Sequence, residues 1–466
     1  YFGFQNITKK LDLLNASEWA TLRNDIQTGL GQTPSFTPQQ IEDFKTTGNY
    51  DWQDAAFRKG APIQNHQLSF SGGDETSRYS VSTNYFKQEG IIIGSDFRRL
   101  SLRVNYEKDV TDLFRFGVTA TITNSDFNGM SANSSSTALT APNTLAGVLL
   151  IAPVVPIKNA DGSFNVTNNP YVASINGYIS NPINDLENIT NETKINRTLS
   201  SLWGEYKLAK NLALKSSVNA DIISTKQNYY APSNTTNGIE TKGYASVGNK
   251  LVGSVLNENT LNYNTSFGED KHQLSALAGY TIQYSKGEVA TSGATNFVND
   301  LNGYNSLQDG TPIKPTSDAY ESVLQSWLGR VNYSYLNRYN FSVSARADGS
   351  SRFGSESKWG FFPSAGFSWN ITEENFAKNI KGVDNIKLRL SAGTTGNQEI
   401  GDYLALASLG SVNYSFGGTI YTGFAPTRLS NPDLKWEKTT QYNTGLDFDF
   451  LNKKISLVLD AYYKKT

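Results

Sequence analysis

Between Arg338 and Ile371, apolar and polar residues alternate along two arms. On the rising arm Tyr339, Phe341, Val343, Ala345 and Ala347 share one face, and Asn340, Ser342, Ser344, Arg346 and Asp348 share the other. On the returning arm Phe361, Pro363, Ala365, Phe367, Trp369 and Ile371 fall on the apolar face, and Phe362 is the one apolar residue on the polar face. Each arm keeps this pattern for about ten residues, against about 5–6 for strands of soluble domains and about 9–11 for a tilted strand crossing a bilayer. The length predicts a β-hairpin in a membrane wall. Its connecting stretch, Gly349 to Lys358, is rich in Ser and Gly, carries Arg352, Glu356 and Lys358, and belongs in water.

The pattern recurs. Leu100, Leu102, Val104 and Tyr106 oppose Ser101, Arg103, Asn105 and Glu107; Phe114, Phe116, Val118, Ala120 and Ile122 oppose Arg115, Thr119, Thr121 and Thr123. From His66 onward the chain reads as strand, tight turn, strand, long loop. The turns fall at Gly72–Ser77, Thr111–Leu113, Ala209–Asn211, Gly268–Lys271, Leu336–Arg338 and Leu451–Lys453, and the long loops at Asp126–Arg197, Tyr229–Lys250, Gly287–Tyr320 and Gly396–Trp436. Short turns at one end and long loops at the other are the layout of a bacterial outer-membrane barrel with its long loops outside. Charged inner faces need water, which a wide lumen supplies. Tyr106, Phe114, Tyr335, Tyr339 and Phe448 sit beside the short turns, where an interfacial aromatic girdle belongs. The stretch from Glu321 to Tyr335 fits least well, because Leu324 and Leu328 fall on its polar face.

The predicted fold is therefore all-β: an antiparallel transmembrane β-barrel, partial, with about 15 of an expected 22 or so strands, long extracellular loops and a few short loop helices. Residues 1–8 read as the end of a first barrel strand, 9–65 as the first long extracellular loop, and 66–466 as barrel strands with short periplasmic turns and long outer loops. Within the first loop, Asn15 with Glu18, Thr37 with Pro38 and Gln40, and Asp51 with Asp54 predict three short helices whose apolar faces pack on each other.

Composition narrows the function. The chain has 466 residues, with 41 Lys plus Arg against 42 Asp plus Glu, so no net field draws it to nucleic acid. The absence of Cys removes disulfides and thiolate metal sites. No apolar run is long enough for a membrane helix, so any crossing is by strands, which must close to pair their backbone groups. His66 and His272 are too few for a metal cluster, and no nucleophile elbow, phosphate loop or H-E-x-x-H motif occurs. No enzymatic activity, catalytic residue, cofactor or metal site is expected. Asp447 and Asp449 share a face as lumen-hydrating carboxylates, and Asp300, Asn302 and Asn305 hint at an oxygen-ligand cation loop. The loop aromatics Tyr229, Tyr230, Tyr244 and Tyr304 are candidates to grip a sugar or peptide. Arg346 and Asp348 are expected in the lumen, with Arg352 in the loop above them, near the solute.

Four long motifs go further. ARADGSSRFG (residues 345–354), FFPSAGFSW (361–369), LRLSAGTTGNQEIGDY (388–403) and NPDLKWEKTTQYNTGLDF (431–448) resemble the SusC/RagA-like TonB-dependent outer-membrane transporters. KKLDLLNASEW, YDWQDAAFR, NHQLSFSGG and NYFKQEGIIIGSDFRR resemble the region following that family's plug domain. The resemblance implies active import of a glycan or, in some members, a peptide across the outer membrane. It also implies a SusD-like surface lipoprotein as lid, TonB as energy-coupling protein, and outer-membrane lipid around the barrel. A plug domain, a coupling box and the final strands are not found in the sequence, so a fragment is expected. The alternative is a non-coupled outer-membrane porin or adhesin barrel; a secreted all-β glycan-binding protein fits the strand lengths less well.

Overall fold

The computed structural model describes residues 1–129, 144–166, 181–378 and 380–466. Strands β1 (Phe2–Gln5), β2 (Ala61–Gly73), β3 (Ser77–Glu89), β4 (Asp96–Asp109) and β5 (Phe114–Asn128) begin a meander. It continues through β6 (Thr190–Ala209), β7 (Leu212–Ala231), β8 (Tyr244–Phe267), β9 (His272–Thr295) and β10 (Thr311–Tyr335). Then come β11 (Tyr339–Ser350), β12 (Trp359–Asn370) and β13 (Val383–Asn397), a separate hairpin of β14 (Ser408–Phe416) and β15 (Thr419–Arg428), and finally β16 (Glu437–Phe450) and β17 (Ile455–Lys465). All but the separate hairpin join one 15-stranded sheet in chain order, every pair antiparallel. The fold class and the count of about 15 strands agree with the sequence reading.

The alternation fixes which face each residue shows. Leu328, Arg346 and Phe362 stand side by side across β10, β11 and β12, as do Val331, Val343 and Ala365. A slip of one residue would exchange the two sets, so the register is strongly specified. On the outer face the turn end carries an aromatic ladder. Phe267 stacks on His272 with ring centroids 4.8 Å apart, Tyr335 lies 4.9 Å beyond, and Tyr339 and Trp369 follow at 6.3 Å steps. Rings with an apolar body and a polar tip suit the boundary between hydrocarbon and water.

Several strands run longer than their sequence pattern indicates. β2 starts at Ala61, ahead of His66, and β7 to β10 extend well into the stretches read as loops at Tyr229–Lys250 and Gly287–Tyr320. Above a bilayer neither face has to be apolar, so the hydrophobic alternation fades while the backbone ladder continues. The hairpin β14–β15 also lies within a stretch read as loop.

The three helices of the first loop start where their caps place them. Asn15 with Glu18 and Thr37 with Gln40 form reciprocal capping boxes for α1 (Ala16–Gly29) and α2 (Pro38–Asp43), and Asp51 caps α3 (Trp52–Ala56). Their packing differs from expectation. α1 and α2 meet through Trp19, Phe36 and Phe44, but α3 turns away to α4 (Thr144–Leu150) and α5 (Pro182–Asn188). There Trp52, Ala56, Val148, Ile151, Ile183 and Leu186 make a small apolar core shared by two outer loops. α3 holds only five residues, and its large indole is buried in this core.

Candidate functional site

The polar face of the sheet curls inward. Residues of β8 and of β16 line one open trough of about 860 Å³. Its wall is mostly amide and hydroxyl: Asn264, Gln273, Ser275, Asn332, Ser342 and Ser391 are representative. Two charged residues join it, Lys387 and Arg389, and the second is neutralised in place. Arg389 donates to Asp447 at 2.7 Å and to Asp460 at 2.9 Å. Such a wall offers many weak hydrogen bonds to a hydrated solute and no nucleophile paired with a base.

Toward the loop end, Arg346 donates from Nε to Asp348 at 2.5 Å and from Nη2 to the hydroxyl of Ser326 at 2.9 Å. Both Arg346 and Asp348 lie on the trough side, opposite in facing to Phe341 and Val343. Asp348 is 8% exposed and Ser326 fully buried, so this pair is held in place by its surroundings. Arg352 lies in the β11–β12 loop above and reaches across to another loop, donating to Asp402 at 2.8 Å and to the Gln398 carbonyl at 3.3 Å.

That reach belongs to a larger knot, which sequence reasoning missed. Phe353, Phe362 and Trp436 form a buried cluster with Leu324, Ile400 and Leu434 packed on it. The Trp436 indole donates to the Lys358 carbonyl at 2.9 Å, and the Gly354 amide to the Leu434 carbonyl at 3.0 Å. Two of the three apolar residues that broke the alternation, Leu324 on β10 and Phe362 on β12, are therefore in register and point into this cluster, while Leu328 lies outside it. They were the available signal. All four motifs of the sequence comparison contribute residues to it or to its ties.

The four loop tyrosines divide between two faces. Tyr229 and Tyr230 are neighbours on β7 and so point oppositely. Tyr229 shares the trough face, meets Tyr244 with ring centroids 5.7 Å apart, and accepts a hydrogen bond from Asn237 at 2.8 Å. Tyr230 is 4% exposed, packs edge-on against Phe297 and donates to Asp300 at 2.5 Å. Tyr304 donates to Glu192 at 3.4 Å on that outer side. Asp300 also accepts from the Ser233 amide and hydroxyl. Burial alone would raise the Asp300 pKa, but the hydrogen bonds from Tyr230 and Ser233 outweigh it and hold the carboxyl below its usual range. Its oxygens are thus engaged by protein donors, Asn302 is turned to Asp309, and no cluster of acidic or His side chains fit for a metal ion occurs among the described residues.

A concave polar face, an apolar outer face with an aromatic ladder, short turns at one end and knotted loops at the other define the wall of a β-barrel in the outer membrane. Residues 155–466 match the family described as TonB dependent receptor-like, beta-barrel, and the chain belongs to that family. Within it, the chain resembles the SusC/RagA-like members. The TonB-dependent receptor SusC of Bacteroides thetaiotaomicron is 30% identical over 492 aligned positions, which cover 100% of this chain and 46% of the relative. TonB-dependent receptor P3 of Formosa agariphila is 32% identical over 100% of this chain and 44% of its own length. The chain thus spans about half the length of the curated relatives it matches. The solved structure of the RagAB peptide transporter superposes with a TM-score of 0.82 at 24% identity, covering 99% of this chain and 54% of that one, a likeness of fold. These relatives are receptors and transporters, not enzymes. No helix among the described residues is long and apolar enough to cross a membrane; the strands cross it.

Proposed function

We propose that the chain is the barrel portion of an active importer that takes a glycan across the outer membrane. The observation that carries this reading is the two-sided wall, whose inner trough is lined mostly by uncharged hydroxyl and amide groups, with Arg389 paired to Asp447 and Asp460. A neutral, heavily hydroxylated solute exchanges water for such a wall at little cost. Tyr229 and Tyr244 supply ring faces at the loop end for the apolar side of a sugar, Tyr230 and Tyr304 brace the loop behind them, and Arg346, Asp348 and Arg352 orient polar groups on the way in. TonB supplies the force, and a SusD-like surface lipoprotein covers the mouth. The likeness to a peptide transporter favours a second reading in which the solute is a peptide.

The test is uptake by cells carrying the full-length protein, given labelled neutral oligosaccharides and labelled peptides in parallel, with and without TonB. Accumulation of oligosaccharide that stops without TonB is expected. Accumulation of peptide alone transfers the assignment to the second reading, and uptake indifferent to TonB returns the chain to the class of passive barrels.

A further inference from the structure

Four strands carry an acid and a base two residues apart on the outer face, on the loop side of the apolar band. On the rising strands these are Lys87 with Glu89 and Lys286 with Glu288; on the descending strands they are Asp96 with Arg98 and Glu192 with Lys194. The order along the chain reverses with the strand direction. The order in space is therefore constant, with the base nearer the membrane and the acid farther out. Directly on the membrane side of Lys87, Arg98 and Lys286 stand the exposed apolar residues Tyr85, Leu100 and Tyr284.

The bases of β3 to β7 also line up across the sheet. Lys87 lies opposite Arg98, Arg98 opposite Asp126, Asp126 opposite Lys194, and Lys194 opposite Lys226. This row holds four cations and one carboxylate. Lys194 and Lys226 are like charges placed directly across from each other, an arrangement that destabilises a sheet unless an anion lies between or below them. Lys226 has no carboxylate within ion-pair distance among the described residues. In the pairs that exist, Lys87–Glu89 at 3.3 Å, Arg98–Asp126 at 2.8 Å and Lys194–Glu192 at 2.7 Å, the cations are about half-exposed while the carboxylates are largely covered. The cationic ends therefore keep a solvent-facing side on which a second anion can be met. On the outer wall of a membrane barrel, on the loop side of the apolar band, the anionic groups that a row of cations meets are the headgroups of the outer leaflet.

We propose that this row binds the phosphates of outer-leaflet lipid headgroups at two places, Lys87 with Arg98 and Lys194 with Lys226, on either side of Asp126, with the acyl chains at the first lying along Tyr85 and Leu100 below. The acidic row above it repels the same phosphates and sets the depth at which the lipid is held.

The test uses the full-length protein in neutral detergent and native mass spectrometry, with dioleoyl phosphatidic acid and dioleoylglycerol as probes that differ only in the phosphate. Preferential retention of phosphatidic acid is expected, falling with added salt. The variant carrying Lys87→Gln, Arg98→Gln, Lys194→Gln and Lys226→Gln should lose about fivefold in retention for each cation removed, while Lys387→Gln, on the inner face, leaves retention unchanged. Should the fourfold variant lose its heat-modifiable fold, Lys226→Gln alone serves, since it removes no ion pair. Equal retention of the two lipids, or undiminished retention in the variants, overturns the proposal. Inorganic phosphate bound as tightly as phosphatidic acid would assign the row to a free anion and likewise overturn the lipid reading.

Discussion

Gly354 offers a direct test of the loop knot. A Cβ at this position would lie 1.7 Å from the carbonyl oxygen of Pro432 and 2.5 Å from its carbon, both backbone atoms of the opposing loop. Ordinary contact begins at 3.4 Å, so in Gly354→Ala the 432 segment has to retreat by roughly the difference. The hydrogen bond from the Gly354 amide to the Leu434 carbonyl, 3.0 Å long and two residues from the clash, does not survive such a movement. Losing it and leaving its groups unpaired costs about 1–3 kcal/mol. Trp436 moves with the segment. Its contacts with Phe353 and Phe362, at 4.9 and 5.2 Å between centroids, each contribute a further 0.5–1.5 kcal/mol or so. Together the local loss is about 2–6 kcal/mol. At the lower limit this raises the open population of the loop about thirtyfold. Limited proteolysis and amide hydrogen exchange of the full-length protein in detergent read this directly, as faster cleavage and exchange between residues 398 and 436. Gly366→Ala is the control, because its Cβ would meet nothing nearer than 3.9 Å. If Gly354→Ala exchanged no faster than Gly366→Ala, the two loops would not be packed as described.

Three further outcomes follow from the wall and its loops. Val343→Arg places a charge on the outer face and should cost about 2–4 kcal/mol, seen as loss of heat-modifiable protein from outer-membrane fractions, whereas Ser344→Arg on the inner face is tolerated; equal yields would contradict the face assignment. Arg346→Ala removes the donors to buried Asp348 and Ser326 and should lower stability by about 1–3 kcal/mol in urea titration; adding Asp348→Ala should restore part of the loss, and a strictly additive pair would show that the contact contributes nothing. Asp185, 4% exposed in α5, has its pKa raised by burial, against the opposing hydrogen bonds from Thr236. A carboxyl with a raised folded pKa contributes stability below its unfolded pKa and loses it as pH rises through the folded one. The contact between α5 and the β7–β8 loop should therefore loosen on going from acid to neutral pH, by hydrogen exchange, and Asp185→Asn should abolish that dependence while keeping an acceptor for the Thr236 amide.

The fold was legible because its defining interaction is periodic. A lipid-facing strand has to repeat an apolar residue at every second position, so Tyr339 to Ala347 and Phe361 to Trp369 declare both strand and face, and the caps at Asn15, Thr37 and Asp51 declare the helices. Outside the bilayer that requirement lapses. The upper parts of β7 to β10 are held by backbone pairing among Asn, Ser, Thr and Gly, which look the same in a loop. The knot was hidden for another reason: Arg352 and Asp402 are brought together only by the sheet, as are Gly354 and Leu434. Tyr230 illustrates the limit for site residues. Nothing in QNYYAP distinguishes the ring that faces the trough from the one locked under a loop, except the parity of its position.

The ties between loops bear on the thermodynamics of any encounter at the mouth. A partner or solute that meets long unconstrained loops has to order them, and each immobilised side chain subtracts about 0.5–1.5 kcal/mol from the affinity. Here Asp300 already holds Tyr230 and Ser233, Arg352 holds Asp402, and Trp436 is seated under Lys358. Their ordering is completed during folding, before anything binds. Association at this rim should therefore resemble the docking of rigid bodies, with a heat-capacity change set by the surface covered at contact, without the excess that accompanies coupled folding.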